Sequence, residues 1–165
     1  MNVLKINKCR FKPVGIDGIY ICDCAVFQAE FDKAGCNDWK KSSGKKMLEE
    51  WFKENASAEI QEKFRIDIPT VEEICSQKML NSYDVFSKLK SKQFPILKDL
   101  DECMKEFNGE PTWWWTRSTD DDYYVWCVYR HGGIDGTSVA DDIRGFVPVL
   151  RRKSKKRQIK TEMSK

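Results

Sequence analysis

Near Gly109 the chain changes its hydrophobic period, and any fold must accommodate both halves. Before that point, residues 39–54 place Met47, Leu48, Trp51 and Phe52 at i, i+1, i+4 and i+5, the spacing of an amphipathic helix with a bulky face. After it, residues 112–116 (Thr-Trp-Trp-Trp-Thr) and 123–130 (Tyr-Tyr-Val-Trp-Cys-Val-Tyr-Arg) are rich in aromatic and β-branched residues. The second run is apolar on both faces and reads as a central strand. Helices first and strands later indicate an α+β domain. The expected sheet is small and antiparallel, built from 112–118, 123–130 and 146–150, with two or more helices packed on it. Pro148 places the last of these strands at an edge or a bulge.

Shorter signals fill the remainder. Residues 3–27 mix strand-forming runs with a turn at Val14-Gly-Ile-Asp-Gly18. A second helix is expected over 57–64 and a short strand over 65–68. Thr70 and Glu73 have capping-box spacing, which starts a helix running to about Met79. Residues 83–107 show helical spacing in places, interrupted by Pro95.

At 165 residues the chain suits one domain, and 41% hydrophobic with 33% charged residues excludes a disordered one. No run of about 18 apolar residues is present. The N-terminus lacks the apolar stretch of a signal peptide, so the expected location is the cytoplasm, with no membrane partner. Seven cysteines, an odd number, point to free thiols rather than a disulfide framework. Cys22 and Cys24 form a C-x-C flanked by Cys9 and Cys36. Structural zinc sites pair C-x2–4-C knuckles, and no second knuckle exists, so the reading is buried thiols and no metal.

Charge divides the chain unevenly. Residues 151–165 carry eight basic residues against one acid, Glu162, a net of +7. The overall +3 therefore leaves −4 on residues 1–150. The partition is a mildly acidic domain, 1–150, and a flexible basic tail, 151–165. Arg151, Arg152, Lys153, Lys155, Lys156 and Arg157 are the residues able to neutralise phosphates.

Three segments in order resemble the C-type-lectin-like fold, in the branch shared by formylglycine-generating enzymes and the variable proteins of diversity-generating retroelements. They are Ile-Pro-Thr-Val-Glu-Glu-Ile (68–74), Trp-Trp-Trp-Thr-Arg-Ser (113–118) and Gly-Phe-Val-Pro-Val-Leu (145–150). The branch shows "LPTxxE", "WxxS" and "GxRPVL" at these places. The resemblance is nearest to bacterial and phage domains ending in "WWLRS … GVRPAL". Their "WxxSxLRxWLN" helix resembles residues 39–52, and the likeness spans residues 18–150. Two departures matter. Val147 replaces an arginine suited to tying the last strand to its neighbours. The paired C-terminal cysteines of the formylglycine enzyme are missing, so its oxidative chemistry is not carried over.

Chemistry is sparse in the sequence. His131 is the only histidine. A triad with Ser118 or Ser138 and an aspartate can be drawn, but no G-x-S-x-G elbow surrounds either serine. No phosphate-binding glycine loop occurs. Asp120–Asp122, Asp135, Asp141 and Asp142 read as solvated loop acids rather than a calcium site. One ring of the Trp113–Trp115 triplet either packs inside with the others or joins the tyrosines on an exposed face. The expected activity is therefore binding without catalysis or cofactor. The expected contacts are Arg117, Tyr123, Tyr124, Tyr129, His131 and Asp141, where the resembling families place ligand-contacting residues. The partner class is a protein or nucleoprotein, and the phage-like resemblance implies an inhibitor of a host defence nuclease such as a CRISPR effector. The alternative is a nucleic-acid-binding accessory protein acting through the tail.

Overall fold

The computed structural model describes residues 2–16, 18–97, 100–119 and 124–154. The fold is α+β and is built on two five-stranded sheets, larger than the single small sheet expected. The first sheet contains β1 (Leu4–Ile6), β2 (Cys9–Pro13), β3 (Ile19–Cys22), β5 (Phe64–Asp67) and β12 (Val149–Arg152), in the order β1-β2-β3-β12-β5. All its pairings are antiparallel. The second contains β4 (Gln28–Ala29), β8 (Trp114–Thr119), β9 (Tyr124–Val128), β10 (Ile134–Ser138) and β11 (Arg144–Gly145), in the order β10-β9-β8-β11-β4. Its pairings are antiparallel except for β11 with β8, which is parallel. A separate hairpin joins β6 (Lys105–Phe107) to β7 (Glu110–Thr112) through Asn108 and Gly109. Both turn residues have positive φ, the demand that Asn-Gly meets in tight hairpins.

The closing segment behaves differently from the expectation. Residues 145–150 do not form one edge strand beside 112–118 and 123–130. Gly145 ends β11 in the second sheet, and the chain then crosses to become β12, central in the first. Pro148 marks the crossing, since it has no N–H to continue a ladder, and its carbonyl accepts from Cys22 N–H at 2.9 Å. Phe146, Val147, Val149 and Leu150 are all fully buried, so this crossing lies within the core.

The helices are short and well capped. α1 (Ser43–Asn55) starts four residues later than expected, because Ser42 is its N-cap and accepts from Lys45 N–H at 3.1 Å. Asp32, buried beneath this end, accepts from Ser43 N–H at 2.7 Å. Gly44 is required there: an added Cβ would lie 2.6 Å from the Phe31 carbonyl and 2.7 Å from the Phe146 ring. Leu48 and Phe52 face inward, with Met47 and Trp51 packed at the margin. α2 (Ala58–Lys63) follows its Ser57 cap. The helix expected from Thr70 to Met79 is instead two, α3 (Val71–Ile74) and α4 (Gln77–Asn81). Cys75 is extended, and Ser76 caps the second by accepting from Met79 N–H at 3.1 Å. Among the described residues of 83–107, a 3-10 turn (Asp84–Phe86) and α5 (Leu100–Cys103) precede β6.

Aromatic rings join the layers. Phe31 lies 5.5 Å from both Trp39 and Trp115, and Phe146 lies 4.7 Å from Phe27 and 6.3 Å from Trp39. Trp114 and Trp115 occupy opposite faces of β8, yet both are fully buried. Each indole therefore needs an internal acceptor. Trp114 donates to the Cys103 carbonyl at 2.9 Å, and Trp115 to the Ala29 carbonyl at 3.0 Å. Among the described residues no helix is long and apolar enough to cross a membrane.

Candidate binding surface and thiol cluster

The residues expected to share one ligand face are distributed over three places. β9 alternates, so Tyr124 projects with Trp126 on one side while Tyr129 follows Cys127 on the other. Tyr124 pairs with Ser138, whose hydroxyl donates to Asp141 at 2.8 Å, which places Tyr124 and Asp141 at the open end of the β9–β10 hairpin. Tyr129 and His131 lie at its turn end, with ring centroids 5.3 Å apart. Tyr123 lies outside the described residues, as do Asp120, Asp121 and Asp122.

Arg117 belongs to a third place. Its Nε donates to the Ile68 carbonyl at 2.9 Å and lies 3.6 Å from Asp67, while Nη2 lies 3.8 Å from Glu73. Arg151 enters the same network: Nη2 donates to the Glu73 carboxylate at 2.8 Å, and Nε is 3.7 Å from Asp67. Asp67 also accepts from the Trp39 indole at 2.6 Å, and Glu73 accepts from Thr70 N–H at 3.0 Å. Arg151 was expected in a flexible tail contacting phosphates. It is instead only 12% exposed, on a central strand and committed to two carboxylates. Arg151 thereby ties the last strand to Asp67 of β5 and to Glu73 of α3. A cleft of about 670 Å³ opens beside this network, lined by Trp39, Lys45, Arg65 and Arg117 among others.

The other basic positions are partly ordered as well. Arg152 is the final residue of β12 and sits 6.0 Å from the Phe64 ring, and Lys153 Nζ donates to the Gln61 carbonyl at 2.7 Å. Structure therefore continues past the expected boundary at 150. Lys155, Lys156 and Arg157 lie outside the described residues.

One aromatic cluster remains half-exposed. Trp113, the triplet's third ring, lies 4.1 Å from Tyr129, and the Arg144 guanidinium stacks 4.6 Å above Trp113. Arg144 is held by Asp142 at 3.0 Å, and the Tyr129 hydroxyl donates to Asp135. That hydrogen bond pushes the Tyr129 phenol up to about 12, since ionisation would set two anions together. Arg144 gave no signal in the sequence, because nothing there indicated that residues 113 and 144 are neighbours. The serines considered as nucleophiles are engaged elsewhere. Ser118 accepts from Val71 N–H at 3.0 Å, and Ser138 serves Asp141.

The cysteines separate into two kinds, and none is in a disulfide. Burial pushes the Cys75 and Cys127 thiols up to about 12, which keeps them protonated and inert. Cys9, Cys22 and Cys24 instead gather, with all three Sγ atoms within 4.8 Å of one another. Hydrogen bonds from Cys22 and then Cys24 favour a thiolate at Cys9 and hold its pKa well below the ordinary thiol value. Cys36 stands apart in a loop where its N–H donates to Asp32 at 2.7 Å. Among the described residues this is the one such group of potential metal ligands, and Asp135, Asp141 and Asp142 do not form another.

Comparison with protein-family models, with curated proteins and with solved structures gave no match.

Proposed function

We propose that the protein is a non-catalytic macromolecule-binding module on a C-type-lectin-like body. The lectin-like reading is supported by contacts among the three segments that carry the resemblance. Ser118 accepts from Val71 N–H, Arg117 N–H donates to the Pro69 carbonyl at 2.9 Å, and Gly145 N–H donates to the Trp113 carbonyl at 2.7 Å. The motifs therefore act on one another as a frame. Binding is carried by a single observation: Arg144, Trp113, Tyr129 and His131 form a half-exposed aromatic and arginine cluster held in place by Asp135 and Asp142. Such side chains dominate interface energetics because they supply large rigid area at small entropic cost. The partner proposed is a protein or nucleoprotein of the class implied by the resemblance, a host defence nuclease such as a CRISPR effector, with this chain as a phage or mobile-element inhibitor.

A second reading has its own support. Lys63, Arg152 and Lys153 lie together where the chain continues into its basic end, a surface suited to phosphates. Capture from a bacterial lysate, with and without nuclease, separates the two. Under the first reading capture survives nuclease, Arg144→Ala and His131→Ala raise the dissociation rate at every salt concentration, and truncation after Ser154 chiefly slows association at low salt. If truncation or nuclease abolishes capture while both variants bind normally, nucleic-acid binding takes its place.

A further inference from the structure

We propose that Cys9, Cys22 and Cys24 bind one thiophilic d10 cation, Zn²⁺ or Cu⁺, through three thiolates, with a fourth position open to the pocket beside them. The placement follows from strand register. Phe11 pairs with Cys22 in the antiparallel β2–β3 ladder, and Asp23 N–H continues it by donating to the Arg10 carbonyl at 3.0 Å. Two residues further on, Cys9 faces Cys24, with Cys22 diagonal to it on the same side of the ladder. A C-x12-C-x-C spacing thus places three thiols on one face without a zinc knuckle. Metal–sulfur bonds of about 2.3 Å require sulfurs roughly 3.8 Å apart around a tetrahedral ion. Cys22 and Cys24 are already 4.0 Å apart and the other separations are within 4.8 Å, so ligation requires at most about an ångström of contraction.

Packing alone accounts poorly for this arrangement. Cys75, Cys103 and Cys127 show what a packing cysteine looks like here, each deeply buried. Cys9 and Cys24 are only half-buried and line a pocket of about 320 Å³ with Trp51, Glu106 and Asn108. Water or a carboxylate can enter there, which leaves the fourth position for exchange. Three thiolates on a dication leave one net negative charge, beside which Lys105 is buried on the β6–β7 hairpin. Thiolate ligands favour Zn²⁺ and Cu⁺ over harder ions. As each metal–sulfur bond forms, any thiol proton leaves to solvent and no electrons are transferred.

The test is titration of the reduced full chain under nitrogen with Co²⁺ as a spectroscopic substitute, followed by Zn²⁺, with Cu⁺ in a parallel arm against a colorimetric Cu⁺ chelator. One equivalent should produce a thiolate-to-cobalt charge-transfer band that Zn²⁺ removes. Cys9→Ser and Cys24→Ser should abolish it, and Cys36→Ser should leave it unchanged. Alkylation mapped by mass spectrometry provides a readout on the wild-type chain alone: the bound ion should protect Cys9, Cys22 and Cys24 together. The ion retained against its competitor identifies the occupant. A chain without the band or the protection, a band that survives both cluster variants, or a Cys22–Cys24 disulfide under nitrogen overturns the site.

Discussion

Two arginine centres in this protein use the same chemistry for opposite purposes. At one, Arg117 and Arg151 face Asp67 and Glu73, and every participant is at least two-thirds buried. The carboxylates also accept N–H bonds from Thr70, Ile68 and the Trp39 indole, so the cluster joins two helices' approaches to a central strand. At the other, Arg144 lies on Trp113 beside Tyr129 and His131 and is paired with Asp142. The first centre sets two guanidinium groups against two carboxylates, so removing one arginine leaves two largely buried acids facing a single cation. In the second, one arginine meets one carboxylate and the Trp113 ring, so removing a member should cost the fold less and, on the proposed binding surface, a partner more.

The largest expected effect comes from breaking the inner centre. Arg151→Ala leaves Glu73 and Asp67 buried without their strand-side cation, which should cost about 3–5 kcal/mol of stability. Urea unfolding reads this directly. A loss below about 1 kcal/mol would place Arg151 among ordinary surface pairs and remove the contrast.

Asp32 extends the same inward logic to acid sensitivity. Burial opposes its ionisation, but the Cys36, Ser43 and Ala34 N–H groups outweigh that cost and lower its pKa. With the folded pKa depressed, the stabilisation is fully present above the unfolded value near 4 and is lost as pH falls through the folded value. Asp32→Asn should therefore destabilise the protein by about 1–3 kcal/mol at neutral pH and flatten the stability profile in that acid window. An unchanged profile would mean that other carboxylates carry the acid response.

What the sequence made legible follows the same division. The capping relation at Thr70, the helical face of Leu48 and Phe52 and the strands at 114–119 and 124–128 rest on local spacing, and local spacing is visible in a string of residues. The split of residues 145–150 between two sheets was hidden, since Pro148 signals an interruption but not where the chain continues. In the sequence Arg151 is one of a run of basic residues, and composition assigns its charge without revealing that Glu73, 78 residues earlier, faces it. The cysteine cluster was hidden for a related reason. Zinc-knuckle spacing is a local measure, whereas these thiols meet through the β2–β3 register, which depends on the turn between the strands.

At the outer centre the effects on stability should be smaller and the effects on binding larger. Arg144→Ala should shift the unfolding free energy by about 1–2 kcal/mol, less than Arg151→Ala, because Arg144 has one carboxylate and one stacked ring where Arg151 has two carboxylates. On an immobilised partner the same change should weaken affinity by about 2 kcal/mol. Calorimetric unfolding and surface binding measured on the same preparation compare the two directly. If stability falls as far as in Arg151→Ala, Arg144 is part of the frame and the two centres do not differ.

The smallest expected effect concerns the Tyr129–Asp135 pair, and it tests whether the outer centre is held in place before a partner arrives. Tyr129 donates to Asp135, and ionising the phenol would break that bond and set two anions together. Its pKa is accordingly raised to about 12. A group whose folded pKa is raised contributes stability that is full below its unfolded value, near 10 for tyrosine, and fades as pH climbs through the folded one. Ultraviolet titration of phenolate formation should therefore show one tyrosine ionising later than an ordinary phenol. Asp135→Asn should return it to the ordinary range, because the amide leaves no negative charge to oppose phenolate. Binding to a partner should change only a few-fold, since the ring contacts with Trp113 and His131 do not depend on the hydroxyl. A Tyr129→Phe chain that binds as tightly as wild type would show that the ring's packing is sufficient to orient it. If all tyrosines instead titrate together near 10, the hydroxyl is not held by Asp135 in solution, and the outer centre is mobile where the inner one is fixed.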